Sequence, residues 1–274
     1  MAVGLVVSGL AFSYLRTGTI LTAKNVTTNL TNNELRSSMD QIADRIQSAI
    51  SVPVLINTVG ASVSSPAAGV YYDRLLGEPY VVEHPGGSGL ASSATSLVLR
   101  RSMNDYASPP IPKVGDVVII DNPDFDLRPR VSAVSTAAVS GGLQKITITL
   151  AAPLGTSIVW EAAQLKTAKL IRREALIMMP SGNRYQLRRY DSFETTTNFN
   201  DATKYTVISR HGGNIGSEIT PFSITSAGLD KLLNVDFRVR ASGFENVLAK
   251  KEASSFSNYM RVQCMIPSRQ RPKN

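Results

Sequence analysis

The sequence predicts an α+β fold: a long N-terminal α-helix packed on an antiparallel β-sheet, with a small inserted β subdomain. Three observations predict it. The chain opens on an apolar run, MAVGLVVSGLAFSYLR, whose first charged side chain is Arg16. A second stretch, ELRSSMDQIADRIQSAIS, repeats apolar residues at alternating steps of four and three. From Pro53 onward the chain turns to short segments rich in β-branched residues and bounded by Gly, Pro, Ser and Asn.

At a rise of about 1.5 Å per residue, the run before Arg16 makes a helix of roughly 22 Å, short of a hydrocarbon core of about 30 Å. Val3, Leu5, Val6, Val7, Leu10, Phe12 and Leu15 leave it apolar on every side, which calls for lipid or other helices around it. A secretory signal peptide has a similar apolar length but needs a basic stretch ahead of it. Here no Lys or Arg precedes Arg16, and helical sequence follows.

In the second stretch Leu35, Met39, Ile42, Ile46 and Ala49 form one apolar stripe, predicted to pack the helix on the sheet. Arg36, Asp40, Asp44, Arg45 and Gln47 fall off that stripe, and the acids can meet the arginines at neighbouring turns. Pro53 closes the helix, because the residue before a proline resists the α conformation. The linking segment RTGTILTAKNVTTNLTNN is a weak helix former but holds no proline. One helix from near Val3 to near Ser51 is therefore predicted. It forms a unit over 1–52, with an apolar part over about 1–21 and an amphipathic part over about 30–51.

Residues 53–274 read as a β-rich head. VYYDRL, TSLVLRR, DVVIIDN, RVSAVS, KITITLAAPL and IVWEAAQLKTAKLIRREALIMM are its first strands, and Pro180, Ser181, Gly182 and Asn183 mark a hairpin turn. KYTVISR, VDFRVRASG and NYMRVQCMI finish it; Val235, Phe237 and Val239 alternate with Asp236, Arg238 and Arg240, as on a sheet with one face on a core. The segment 113–169 has short strands and tight turns behind Pro109, Pro110 and Pro112, and reads as a small β subdomain inserted into the framework.

The start MAVGLVVSGLAFSYLR, the continuation NNELRSSMDQIADRIQSAIS and the closing LLNVDFRVRASGFEN to FSNYMRVQCMIP resemble the type IV prepilin-like superfamily, in particular its large minor pilins and J-type pseudopilins. That resemblance implies a pilin-like fold and a structural subunit of a type IV pilus or type II secretion-like filament, near its tip. It implies an N-terminal helix held in the inner membrane, with a periplasmic head, before assembly with other pilin or pseudopilin subunits at the cell surface. The family's processing motif, a basic leader with an early glutamate, is absent, and no Glu precedes Glu34. The expectation is a pilin helix cut before its processing site.

Charge is placed unevenly. The net +8 lies in the second half of the chain, with clusters at Arg172 and Arg173, at Arg184, Arg188 and Arg189, and at Arg269, Arg271 and Lys273. An alternative reading follows, a surface module holding DNA or an acidic glycan through Arg184, Arg188, Arg269, Arg271 and Lys273. Adjacent arginines in a strand point to opposite faces, so these cannot all share one patch. Ordinary solvated strand faces are the competing explanation.

Catalytic chemistry is thinly represented. There are two histidines, His84 and His211, and one cysteine, Cys264, which fits a small buried apolar residue and cannot form an intramolecular disulfide. No nucleophile elbow, Walker loop or dinucleotide fingerprint occurs. The chain therefore reads as non-enzymatic and free of cofactors. The one cluster with metal chemistry is DNPDFD, whose Asp121, Asp124 and Asp126 could present oxygens to calcium from a proline-containing turn.

Overall fold

The computed structural model describes the chain apart from residues 1, 78, 87–88, 104–108, 121–128, 156, 161–164, 183, 213–218, 228–229, 241–256 and 267–274. It opens with one continuous helix, α1 (Ala2–Gln47), about 69 Å long at 1.5 Å per residue. The polar middle is accommodated in part by threonine hydroxyls that bond back one turn, Thr17 to the Ser13 carbonyl at 2.9 Å and Thr19 to that of Leu15 at 2.8 Å. The helix stops short of Ser51. Beyond Gln47 the backbone is drawn into sheet pairing, where the Ile50 amide donates to the Asp73 carbonyl at 2.8 Å.

The two halves of α1 differ as their sequences do. Met39, Ile42, Ile46 and Ala49 are buried, so the predicted stripe does face the sheet; the side chain of Leu35 lies outside the described residues. In the first half Leu10, Phe12 and Leu15 are 67 %, 69 % and 71 % exposed, and Val7 is exposed as well. The side chains of Val3, Leu5 and Val6 lie outside the described residues.

This half corrects the membrane reading. Among the described residues, no helix is long and apolar enough to cross a membrane. The apolar run is diluted by Ser8, Ser13, Arg16, Thr17 and Thr19 before it reaches a spanning length. The expected inner-membrane anchor and the location built on it are set aside on this ground.

Among the described residues, fifteen strands follow: β1 (Val54–Ile56), β2 (Gly69–Leu75), β3 (Tyr80–Val82), β4 (Gly89–Leu90), β5 (Ser96–Ser102), β6 (Val117–Ile120), β7 (Val131–Thr136), β8 (Leu143–Leu150), β9 (Ile158–Val159), β10 (Thr167–Ser181), β11 (Arg184–Tyr190), β12 (Tyr205–Gly212), β13 (Phe222–Ala227), β14 (Asp230–Arg240) and β15 (Ser257–Ile266). All their pairings are antiparallel. The fold is thus α+β, a helix on a large antiparallel sheet with smaller β units.

The 15-residue strand β10 is shared by two bodies of structure. Its C-terminal part pairs β2 on one edge, through Ile171–Ile177, and β11 on the other, through Ala175–Ser181; β1 and β12 extend this head sheet. Its N-terminal part pairs β3 on one edge and β6 on the other, and β5, β8 and β7 continue from β3. The start of β7 returns to β6 through the Val117 and Arg130 bridge, closing a small barrel. Tyr80, Leu97, Leu99, Ile146, Ile148 and Leu170 fill it. LIRREALIMM is buried almost without interruption because both faces of β10 are covered.

In the head, one sheet face packs Val70, Tyr72, Leu176, Met178 and Leu187 against the α1 stripe, with Phe222, Leu233 and Val235 of the three-stranded β13–β14–β15 sheet closing the same core. The other face carries Ile56, Ala175, Ile177, Met179 and Tyr190, covered by Phe193, Phe199 and Tyr205. Charges are buried where bodies join. Arg172 of β10 holds Asp116, just before β6, through Nε at 2.9 Å and Nη2 at 2.8 Å. Glu174 receives Arg45 of α1 at 2.8 Å and Arg74 of β2 at 3.3 Å, and accepts from the Tyr72 hydroxyl at 3.3 Å. Burial, reinforced by the Glu174 carboxylate, pushes the Tyr72 phenol well above its usual range, so it stays a donor.

Candidate functional site

The hairpin signalled by Pro180 to Asn183 forms as read. Ser181 pairs with Arg184, and Gly182 takes a left-handed φ of +62° that favours glycine. Pairing of β10 with β2 ends at Ile177 and Gly69, so the last residues of β10 run past the end of β2. Two loops close over that end: the β1–β2 connection at Thr58 and Val59, and the 197–200 segment before β12. They bound a cleft of about 680 Å³.

Its buried apolar lining comes from both faces of the strand end, Met178 and Tyr185 from the helix side and Met179 from the other. Val59, Pro180, Phe199 and Ile219 add apolar walls, and Thr58, Thr197, Asn198 and Asn200 give the rim hydrogen-bonding groups. Among the described residues, no carboxylate, guanidinium, amine, imidazole or thiol lines it. The site can hold a neutral body by burial; among the described residues it offers no acid, base or nucleophile beyond the hydroxyls of Tyr185 and the threonines.

The rim is fixed from beneath by a residue the sequence placed elsewhere. Arg188 is 5 % exposed. Its Nη1 donates to the Phe199 carbonyl at 3.1 Å and to Asn200 Oδ1 at 3.2 Å, its Nε donates to Gln186 Oε1 at 3.1 Å, and the guanidinium lies 4.1 Å from the centre of the Tyr205 ring. The Tyr190 hydroxyl donates to the same Phe199 carbonyl at 2.6 Å. On the other loop, Asn57 Oδ1 accepts from the amides of Val59 and Ala61 at 3.1 and 2.9 Å. Gly60 packs so closely under Phe199 that a Cβ there would lie 2.7 Å from the ring, and its φ of +80° also excludes most side chains.

These bonds decide which way the rim amides present. Asn198 Oδ1 accepts from the Asn200 backbone amide at 3.0 Å, and Asn200 Oδ1 accepts from Arg188. Each side-chain carbonyl thus has one donor already and keeps a second lone pair, and each side chain also carries an –NH₂ donor.

Arg188 is accordingly a correction: it is buried and internally bonded, and does not contribute to a polyanion surface. Arg172 is consumed by Asp116, and Arg173 by Asp73 at 2.8 Å and Glu194 at 2.9 Å, while Arg189 meets Asp191 at 2.7 Å. The side chain of Arg184, and Arg269, Arg271 and Lys273 entirely, lie outside the described residues. Of the five residues read as a polyanion-binding surface, Arg188 alone has a described side chain, and it lies in the interior. Asp121, Asp124 and Asp126 lie outside the described residues too; among the described residues, no group of three His, Cys, Asp or Glu could hold a metal ion.

His84 is exposed, with its ring 5.2 Å from that of Trp160. His211 sits on β12 opposite Tyr185, and Cys264 on β15 opposite Leu233. The sequence does not announce the cleft; it marks only the hairpin tip at Pro180 to Asn183 that supplies part of it.

No protein-family model, curated protein or solved structure matches the chain. None therefore identifies it as a prepilin-like protein. With the spanning helix gone, the pilus and secretion-filament role implied by the resemblance is corrected as well.

Proposed function

We propose that this chain is a non-enzymatic binding module whose recognition site is the cleft at the end of the β10–β11 hairpin. The observation that carries this reading is the lining itself: buried Met178, Met179 and Tyr185, two asparagine amides at the rim and, among the described residues, no ionic group. Pockets that hold small ligands combine an apolar surface with a few placed polar groups in this way. An anionic ligand would be desolvated there without a cation to meet it. The ligand class that fits is neutral, with an apolar body and carbonyl or hydroxyl acceptors, and a short uncharged peptide segment supplies both.

The test is equilibrium binding of capped di- and tripeptides of Leu, Met and Pro, in comparison with the same peptides ending in a free carboxylate. The capped peptides should bind in the range of about 1 mM, near −4 kcal/mol, and the carboxylates more weakly. Tighter binding of the carboxylates, or no binding of any capped peptide, contradicts the proposal.

A further inference from the structure

The segment from Asp191 to Asn200 spans two bodies of the fold. At its start it meets the barrel. Asp191 reaches Lys113 at 4.0 Å, and Glu194 meets Arg130, at the entry to β7, at 3.1 Å. Gly115 packs so closely against the segment that a Cβ there would lie 3.0 Å from the Thr195 methyl group. At its end the same segment is the cleft rim, since Thr197, Asn198, Phe199 and Asn200 all line the cleft.

Little slack separates the two ends. Phe193–Thr195 form a 3₁₀ turn. The buried Thr196 closes it, its amide donating to the Phe193 carbonyl at 3.1 Å and its hydroxyl to the Ser192 carbonyl at 2.8 Å. The Phe193 ring stacks on Tyr71 at 5.2 Å and lies 5.9 Å from that of Phe199. Gly60 of the facing loop presses on both rings: a Cβ there would come within 2.7 Å of Phe199 and 3.3 Å of Phe193. A shift of the turn therefore moves the wall of the cleft, because close-packed side chains transmit strain.

The turn itself is held by charge. Glu194 sits between two guanidiniums, Arg130 of the barrel at 3.1 Å and Arg173 of β10 at 2.9 Å. The side chains of Arg130 and Glu194 are 39 % and 33 % exposed, so salt screens their pair. The Arg172 and Asp116 pair, which also joins barrel to head, is buried and is screened much less. We propose that 191–200 is a strap through which the barrel regulates the cleft, with Glu194 as the positioning residue. Its pair with Arg130 holds Phe193, Phe199 and the rim in place, and raised ionic strength loosens the rim without detaching the barrel. The regulation rests on the cleft being a binding site; the coupling along the strap does not.

NMR amide exchange of the full chain without ligand tests the coupling, read at Thr196, Asn200 and Asp201, whose amides are hydrogen-bonded within the strap or beside it. From roughly 0.05 M to roughly 1 M sodium chloride, where the Debye length is about 3 Å, their protection should fall about two- to fivefold, the range a partly exposed ion pair supplies. Arg130→Gln should show that loss already at low salt and little further loss, while Arg130→Lys should keep the wild-type response. Lys145→Gln breaks a barrel-surface pair of the same kind, to Glu83 at 2.8 Å, and should leave the strap unchanged. Unmoved protection of the barrel-strand amides shows that the variants fold. The affinity of a capped Leu-Pro dipeptide should follow the strap, weakening with salt in the wild type and not in Arg130→Gln. Wild-type protection that ignores salt, an Arg130→Gln strap as protected as the wild type, an equal loss in Lys145→Gln, or a bound dipeptide whose affinity does not follow the strap overturns the proposal. A strap that responds as expected while no capped peptide binds supports the coupling and contradicts the ligand reading alone.

Discussion

Arg188 and Phe199 are joined by a hydrogen bond of 3.1 Å from the guanidinium to the backbone carbonyl, with Arg188 only 5 % exposed. Through that contact and the one to Asn200, a strand residue of the head sheet sets the position of the loop that rims the cleft.

Arg188→Lys should keep the charge but lose the fork, since an ammonium cannot serve Gln186, Phe199 and Asn200 from one plane. Stability should fall by about 1 to 3 kcal/mol, and amide exchange should accelerate at 197–200 while the barrel strands stay protected. A variant with unchanged exchange in that loop would show that the rim is held by Tyr190 and packing alone.

Asp116 and Arg172 lock the barrel to the shared strand, their side chains 2 % and 8 % exposed. Asp116→Asn leaves a buried guanidinium without its carboxylate and should cost about 3 to 5 kcal/mol in denaturant unfolding. The double replacement Asp116→Leu with Arg172→Met removes both charges and should recover most of that loss. If the double variant is as damaged as the single one, the pair supplies more than mutual compensation.

Glu83 tests the electrostatics of the barrel surface. Hydrogen bonds from Arg100 and Lys145 hold its carboxyl low, at about 2. A depressed carboxylate stabilises the folded state above its unfolded value, near 4.3, and loses that contribution as pH falls through the folded value. Unfolding midpoints of wild type and Glu83→Gln should therefore differ most above about pH 5 and converge toward pH 2. A gap that stays constant across that window would place the effect in packing.

Much of the head was legible from local pattern. The spacing of Met39, Ile42 and Ile46 located the buried face of α1, and the turn residues after Met179 located the hairpin. What could not be read depends on long-range pairing. Leu170 and Leu176 look alike in sequence, yet one fills the barrel and the other the helix core, because β10 changes neighbours between them. Arg188 resembled a solvated strand arginine; its burial follows from the 197–200 loop folding back over the sheet, which no periodicity records. The N-terminal run misled for a physical reason too, since side chains apolar enough for lipid one by one do not make a span when serines and threonines recur among them.

The central claim is that the cleft receives a neutral ligand at the side-chain amides of Asn198 and Asn200. The most direct measurement is NMR of those side-chain –NH₂ resonances while a capped Leu-Pro dipeptide is titrated into the full chain. The account predicts that both shift together with the Met178 and Met179 methyl groups, and that Arg188→Lys weakens the response. Shifts that leave both asparagines and both methionines unmoved while other residues respond would contradict it.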